Sequence, residues 1–252
     1  MSYIEASKEN MLLQNLKKTV DALPSPGDFS GKKILGNQTP SEPVKKPTVR
    51  LQLPKESVDR VNAFLRTWSE EKIPVTEGQT VAEQIEAFIK FLTLNPSVKT
   101  ILEIGFNAGL SAGVFLAIRP DITVISVDIG HHDYILPAQK LIARVFPGRH
   151  QLIVGDSTDV LPQLHKTLQS FPDMIFLDGA HTEPVVSQDV TNCLALMKPG
   201  CWLVIDDVHL ENQQYQPEVR AAVLKAVQDK RIVILEHFSG GMREHVACKR
   251  LF

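Results

Sequence analysis

From about residue 95 onward the chain alternates short apolar runs with amphipathic stretches, and that alternation dictates the architecture. The runs are Thr100–Gly105, Thr123–Asp128, His150–Val154, Asp173–Asp178, Cys201–Asp206 and Arg231–His237. Between them Leu110–Ile118, Tyr134–Val145, Val160–Leu168, Glu183–Met197 and Pro217–Asp229 carry apolar residues at helical spacing. Strands and helices alternating at this interval predict an α/β, doubly wound fold, a mostly parallel sheet with helices on both faces. The last connection departs from the pattern. Arg231–His237 is followed by Gly240-Gly241 and then Glu244–Leu251, which leaves no room for a helix. A short glycine-containing loop between two strands reads as a hairpin, so the sheet should end on one antiparallel strand.

Upstream, Val58, Val61, Phe64, Leu65 and Trp68 predict a helix over 55–72 that Pro74 stops. A further helix is expected from Thr80, which with Glu83 forms a capping-box pattern ahead of the stripe Val81, Ile85, Phe88, Ile89 and Leu92. The first residues read differently. Tyr3 to Leu23 has helical periodicity, and then Pro24, Pro26, Pro40, Pro43, Pro47 and Pro54, with Gly27, Gly31 and Gly36, predict a linker or wrapping arm. The organisation expected is therefore an N-terminal helix and arm over 1–53 and one domain over 54–252. The composition suits a disordered or packing extension first, with a homodimer-forming arm or a substrate lid as the alternatives.

Composition narrows the classes. With 27 basic and 29 acidic residues the formal charge is −2, which gives no support to a nucleic-acid binder relying on bulk charge. Cys193, Cys201 and Cys248 form neither a metal spacing nor a disulfide framework, which suits a reducing cytosol. The opening MSYIEASKEN has no apolar core of a secretory signal. No stretch approaches the ~18 apolar residues of a membrane span, so a cytoplasmic, membrane-independent protein is expected.

The chemistry gathers at the strand ends. Glu103 and Gly105 close the first run, Asp128 the second, Asp178 the fourth and Asp206 the fifth, while Asp156 follows the third. Doubly wound sheets bind ligands there, outside the carboxyl ends of the strands. Glu103-x-Gly105-x-x-x-Gly109 departs from the dinucleotide fingerprint because Asn107 stands at the second glycine, where a backbone must approach a pyrophosphate. A ligand with a nucleoside and no phosphates suits this loop better, with Asp128 placed to bind ribose hydroxyls.

ILEIGFNAG, SVDIG, GDS, FLDGAH and KPGCWLVIDDV, in this order, resemble the successive motifs of class I S-adenosylmethionine-dependent methyltransferases over roughly Val75 to Phe252. The resemblance implies a Rossmann-like seven-stranded sheet ending in an antiparallel hairpin. It also implies that Gly105, Asn107 and Gly109 line the methionine portion of the cofactor, that Ser111 binds its carboxylate, and that Glu103 belongs to the cofactor site. By the same likeness Asp128 holds the ribose, Asp156 and Ser157 face the adenine, and Asp178 stands beside the cofactor. His131 and His132 read as exposed loop residues.

Asp178-Gly179-Ala180-His181 and, 28 positions beyond Asp178, Asp206-Asp207 would meet beside the transferable methyl group if strands four and five are neighbours. Three converging carboxylates call for a cation, and all-oxygen ligation by Asp178, Asp206 and Asp207 points to Mg²⁺, with Mn²⁺ or Ca²⁺ as alternatives. The set is similar to metal-dependent O-methyltransferases. Its Asp-Asp pair is closer to the macrolide- and aminocoumarin-sugar type than to the catechol and caffeoyl-coenzyme A type, where Asp-Asn is usual. His181 stands where those enzymes carry a general base, and imidazole chemistry suits that task near neutral pH. His209, Glu211, Asn212 and Tyr215 would border the acceptor pocket, and Thr76–Gln79 resembles a segment that closes over the cofactor. The expected activity is methyl transfer to a hydroxyl of a small molecule. An RNA ribose methyltransferase and a non-catalytic cofactor-binding protein are the competing readings.

Overall fold

In a computed structural model of the protein, residues 53–251 are described, except 77, 79, 169, 211, 213, 241 and 242. The helix expected over 3–23 and the arm up to residue 52 lie outside the described residues. Helices α1 (Lys55–Glu70) and α2 (Ala82–Leu94) precede the alternating series. That series runs β1 (Thr100–Ile104), α3 (Leu110–Ile118), β2 (Thr123–Asp128), α4 (Ile135–Val145), β3 (His150–Val154), α5 (Ser157–Thr167), β4 (Met174–Leu177), α6 (Val185–Leu196), β5 (Trp202–Ile205) and α7 (Pro217–Gln228). The hairpin β6 (Ile232–Gly240) and β7 (Arg243–Arg250) follows.

The strands form one seven-stranded sheet in the order β3-β2-β1-β4-β5-β7-β6. β1 to β5 are parallel, and β7 lies antiparallel between β5 and β6. This is the expected architecture, with the strand order reversing between β1 and β4. Side chains alternate across the sheet. Leu102, Ile104, Ile175, Leu177, Leu203 and Ile205 join a core with Val186, Val190 and Val223 of α6 and α7. On the other face Phe176 packs edge-on against Phe88 of α2 and Phe115 of α3, at ring separations of 5.3 Å each. A fully buried side chain of this size stabilises by ~1.5–3 kcal/mol, so these aromatics fix α2 and α3 on the sheet.

Element boundaries shift from the sequence expectation in ways that matter at the site. β1, β4 and β5 stop at Ile104, Leu177 and Ile205, so Gly105, Asp178 and Asp206 stand one step beyond the strands. Their amides still belong to the ladder: Asp178 N donates to Ile104 O at 2.9 Å and Asp206 N to Leu177 O at 3.0 Å. The acids are thus anchored by the sheet while their side chains leave it. Helix α5 starts three residues before the expected Val160, because the Asp156 carboxylate caps Thr158 N. The Thr80–Glu83 capping box does not form. Val81 is the N-cap of α2 without a side-chain bond, and Thr80 faces the ligand cleft instead.

Candidate active site

A cleft of about 720 Å³ opens over the carboxyl ends of β1, β2, β4 and β5. That is within the range of small-molecule and cofactor sites, ~300–1,000 Å³. Its floor is the loop after β1. Gly105, Asn107 and Gly109 all take positive φ, at 93°, 48° and 71°, so the Gly-x-Asn-x-Gly spacing encodes three left-handed turns in five residues. Asn is among the few other residues that tolerate this region. Gly105 has a second constraint, for a Cβ there would lie 2.0 Å from Asp178 O.

Asp128 holds this loop in place. Its Oδ2 accepts the Phe106 and Asn107 amides at 2.9 and 2.8 Å, and its Oδ1 accepts Gly130 N at 2.8 Å. The residue expected to bind ribose is thus seen to shape the loop after β1. Two further ties come from before the sheet. Trp68 Nε1 donates to Ala108 O at 3.0 Å, and Asn107 Nδ2 donates to Gly78 O at 3.1 Å. Thr76 and Gly78, from the segment expected to close over the cofactor, are described; its other two residues are not.

Gly105, Asn107, Ser111, Asp128, Asp156, Ser157 and Asp178 line the cleft as expected of cofactor-side residues. Glu103 and Gly109 do not. Glu103 is fully buried beneath the loop, where Ser111 and Ser126 each donate a hydroxyl to it at 2.5 Å. Burial pushes its carboxyl up to about 8, against the opposing pull of the two serines. Its role is to tie β1, β2 and α3 together under the site. Gly109 is the N-cap of α3, and its Cα faces Phe106 and Ile142 instead of the cleft. Ser111, expected at the cofactor's carboxylate, is committed to Glu103. Asp156 accepts both Thr158 N and Thr158 Oγ1, at 2.8 and 2.7 Å, and this holds its carboxylate below its ordinary range.

The acids after β4 and β5 converge with His181. One donor atom from each of Asp178, His181 and Asp207 lies within 4.8 Å of the others. His181 Nε2 is 3.6 Å from Asp178 Oδ1 and 3.4 Å from Asp207 Oδ2. Asp207 is fully buried and its backbone is left-handed at φ 56°, which turns its carboxylate toward the group. Asp206 is also buried, and Gln84 Nε2 of α2 donates to its Oδ2 at 2.7 Å. Burial, then the charges of Asp178 and Asp207, push its carboxyl well above the ordinary carboxylate range. Asp206 Oδ1 is buried with no hydrogen-bond partner among the described residues. Two carboxylates and an imidazole converging beside a further acid fit a divalent cation, since the donors are of the right kinds and the carboxylates repel one another without a counter-charge.

Gln84 and Gln216 are functional neighbours that the sequence did not reveal. Gln216 caps α7 from a left-handed position and places Nε2 3.2 Å from His181 Nδ1. Gln84 had a readable signal, being a polar residue beside Ile85 and four before Phe88 on the buried face of α2. Of the residues expected at the acceptor side, Tyr215 lines the cleft, and His209 is buried behind it with ring centroids 4.2 Å apart. Asn212 is exposed away from the cleft, and Glu211 is outside the described residues. His131 is exposed as expected, yet it and His132 form part of the cleft wall.

A family model described as a methyltransferase domain matches residues 102–208. No curated protein matches the sequence. Among solved structures the chain is similar to the O-methyltransferase from Bacillus cereus in complex with S-adenosylhomocysteine. The identity is 15%, covering 79% of this chain and 93% of that one, with a TM-score of 0.60. It is also similar to the S-adenosylmethionine-bound O-methyltransferase TomG from Streptomyces achromogenes, involved in tomaymycin synthesis. There the identity is 19%, covering 79% and 92%, with a TM-score of 0.60. The S-adenosylhomocysteine-bound methyltransferase PaMTH1 of Podospora anserina shares 18% identity over 86% of this chain and all of that one, with a TM-score of 0.59. At these identities the structural likeness speaks for the fold. The residues that match the methyltransferase domain run from β1 to just past β5. No helix among the described residues is long and apolar enough to cross a membrane.

Proposed function

We propose that the protein moves the methyl group of S-adenosylmethionine to a hydroxyl oxygen of a small molecule, with the help of a divalent cation. The observation that carries this reading is the meeting of Asp178, His181 and Asp207, with Asp206 on the same cleft, above the loop after β1. A cofactor-binding protein without catalysis has no physical need for four such groups together. The fold likeness to O-methyltransferases supports the same direction.

In this reading Gly105 and Asn107 receive the methionine portion, Asp128 the ribose, and Asp156 with Ser157 the adenine edge. Asp178 stands between the two halves of the cleft, adjoining Gly105 on one side and His181 on the other. A bound cation would supply positive charge that lowers the pKa of an acceptor hydroxyl and orients it toward the sulfonium methyl. The four ionisable side chains divide two tasks, holding that charge and receiving the hydroxyl proton. Tyr215 offers the acceptor an apolar wall. The protein's small net charge lends no support to a nucleic-acid acceptor held by bulk charge.

The test is methyl transfer from methyl-labelled S-adenosylmethionine to a panel of sugars and polyphenols with neighbouring hydroxyls, with and without a chelator. Labelled product that falls on chelation and returns with added divalent ion is the expected result. Failure of S-adenosylmethionine to bind in calorimetry would remove the reading altogether. Product formed equally well in chelator would remove the cation from it.

A further inference from the structure

We propose that His181 is a ligand of the cation and not the base beside it, so that the site selects a first-row transition ion over Mg²⁺. This rests on the cation-assisted reading above and changes which side chains serve it. The sequence alone assigns the ion to three carboxylates, Asp178, Asp206 and Asp207. The geometry groups them otherwise, with His181 in the place of Asp206.

Donors that share one ion at ~2.1 Å stand ~3 Å apart when adjacent and ~4.2 Å when opposite. His181 Nε2 lies 3.4 Å from Asp207 Oδ2 and 3.6 Å from Asp178 Oδ1, inside that interval. Asp207 has no freedom to give up this position, being fully buried on a left-handed backbone. Asp206 is drawn off by α2, since Gln84 occupies its Oδ2 at 2.7 Å. Its Oδ1 is buried on the same cleft with no partner among the described residues, and so is placed to receive a water carried by the ion.

Gln216 completes the arrangement. Metal-bound histidines commonly donate their other ring N–H to an oxygen. Gln216 holds its side-chain amide 3.2 Å from His181 Nδ1. Amide oxygen and nitrogen exchange places by rotation, so Gln216 Oε1 can accept Nδ1–H, the tautomer in which Nε2 carries the ligating lone pair. One nitrogen and two carboxylates form a borderline donor set, suited to Co²⁺, Fe²⁺ or Zn²⁺, whereas Mg²⁺ and Ca²⁺ prefer oxygen alone.

The deciding experiment titrates Co²⁺ and Mg²⁺ separately into the full chain by calorimetry, without acceptor, for wild type, His181→Ala and Asp206→Asn. S-adenosylmethionine titration of each protein checks that its cofactor half is intact. Wild type is expected to bind Co²⁺ about tenfold or more tightly than Mg²⁺. His181→Ala should weaken Co²⁺ by about tenfold or more and leave Mg²⁺ within about threefold, while Asp206→Asn changes Co²⁺ by less than about threefold. The visible bands of bound Co²⁺ should shift on His181→Ala, which reports nitrogen ligation independently of affinity. Unchanged Co²⁺ affinity and bands in His181→Ala, with binding lost in Asp206→Asn, would overturn the assignment and restore the three-carboxylate site. Absence of binding by either ion to wild type that still binds S-adenosylmethionine would overturn the cation itself, and this assignment with it.

Discussion

Gln84, on a helix that precedes the sheet, donates its side-chain amide to Asp206 at the end of β5, 122 positions away in sequence. It is the side-chain donor that a deeply buried carboxyl depends on, and it couples the docking of α2 to the cleft wall at the ends of β4 and β5. Removing one partner of a buried hydrogen bond costs ~1–3 kcal/mol. Gln84→Leu should therefore lower the unfolding free energy in urea by about that amount. Gln84→Glu keeps the shape but sets a second acid against Asp206, and it should be the more damaging of the two. A Leu variant as stable as wild type would show that the contact contributes nothing.

Gly105 and Gly148 both have positive φ, at 93° and 73°, but they differ in what surrounds them. A Cβ at Gly148 meets nothing within 4 Å, whereas at Gly105 it would collide with the Asp178 carbonyl. Gly148→Ala should cost only the left-handed strain, ~1–2 kcal/mol. Gly105→Ala must also push β1 from the loop after β4, so S-adenosylmethionine binding should vanish while Gly148→Ala retains it. Calorimetry on the two variants makes the comparison, and equal cofactor affinity would refute it.

Glu103 makes stability depend on pH. Burial raises its folded-state pKa to about 8, while the unfolded chain has the ordinary value, ~4.3. Between those values the folded protein holds a proton that the unfolded chain has lost. Stability from this group is thus greatest below the lower value and falls as pH rises, by up to ~1.4 kcal/mol per pH unit, levelling near pH 8. Glu103→Gln keeps a hydrogen-bonding side chain without the titration. Urea unfolding from pH 5 to 8 should show the variant gaining on wild type at each step. A constant difference between the two proteins would rule out the protonated carboxyl.

Much of this fold was legible because each strand and helix carries its own period. The hairpin at the end was forced by the missing helical stretch before Glu244, and the acids at strand ends marked the open end of the sheet. What stayed hidden depends on side-chain direction and on contacts distant in sequence. Glu103 sits among the strand-end acids in sequence, yet strand alternation points it to the α2–α3 side, where Ser111 and Ser126 take it from the cofactor. Ser111 does line the cleft, but the direction of its hydroxyl proton toward Glu103 is equally invisible in the sequence. Asp206 and Asp207 are adjacent in sequence and look equivalent. Only the left-handed turn at Asp207 and the reach of Gln84 separate their roles, and neither has a local signature.

Asp128 shows how a residue read as a ligand contact can act first on the backbone. Its carboxylate accepts three main-chain amides, two of them from the loop that floors the cleft. In Asp128→Asn one oxygen becomes an NH₂ group, which faces an amide donor whichever way the side chain turns. At least one loop amide or Gly130 N is then left without its acceptor, a loss of ~1–3 kcal/mol, or about five- to 150-fold in affinity if the loop is ordered by cofactor binding. S-adenosylmethionine should bind Asp128→Asn weaker by that factor, and adenosine, which shares the ribose but lacks the methionine, should lose affinity too. Were Asp128 only a ribose contact, methionine added as a separate ligand would be indifferent to the substitution. The loop-shaping role requires methionine binding to weaken as well, and competition against S-adenosylmethionine in the two proteins measures which holds.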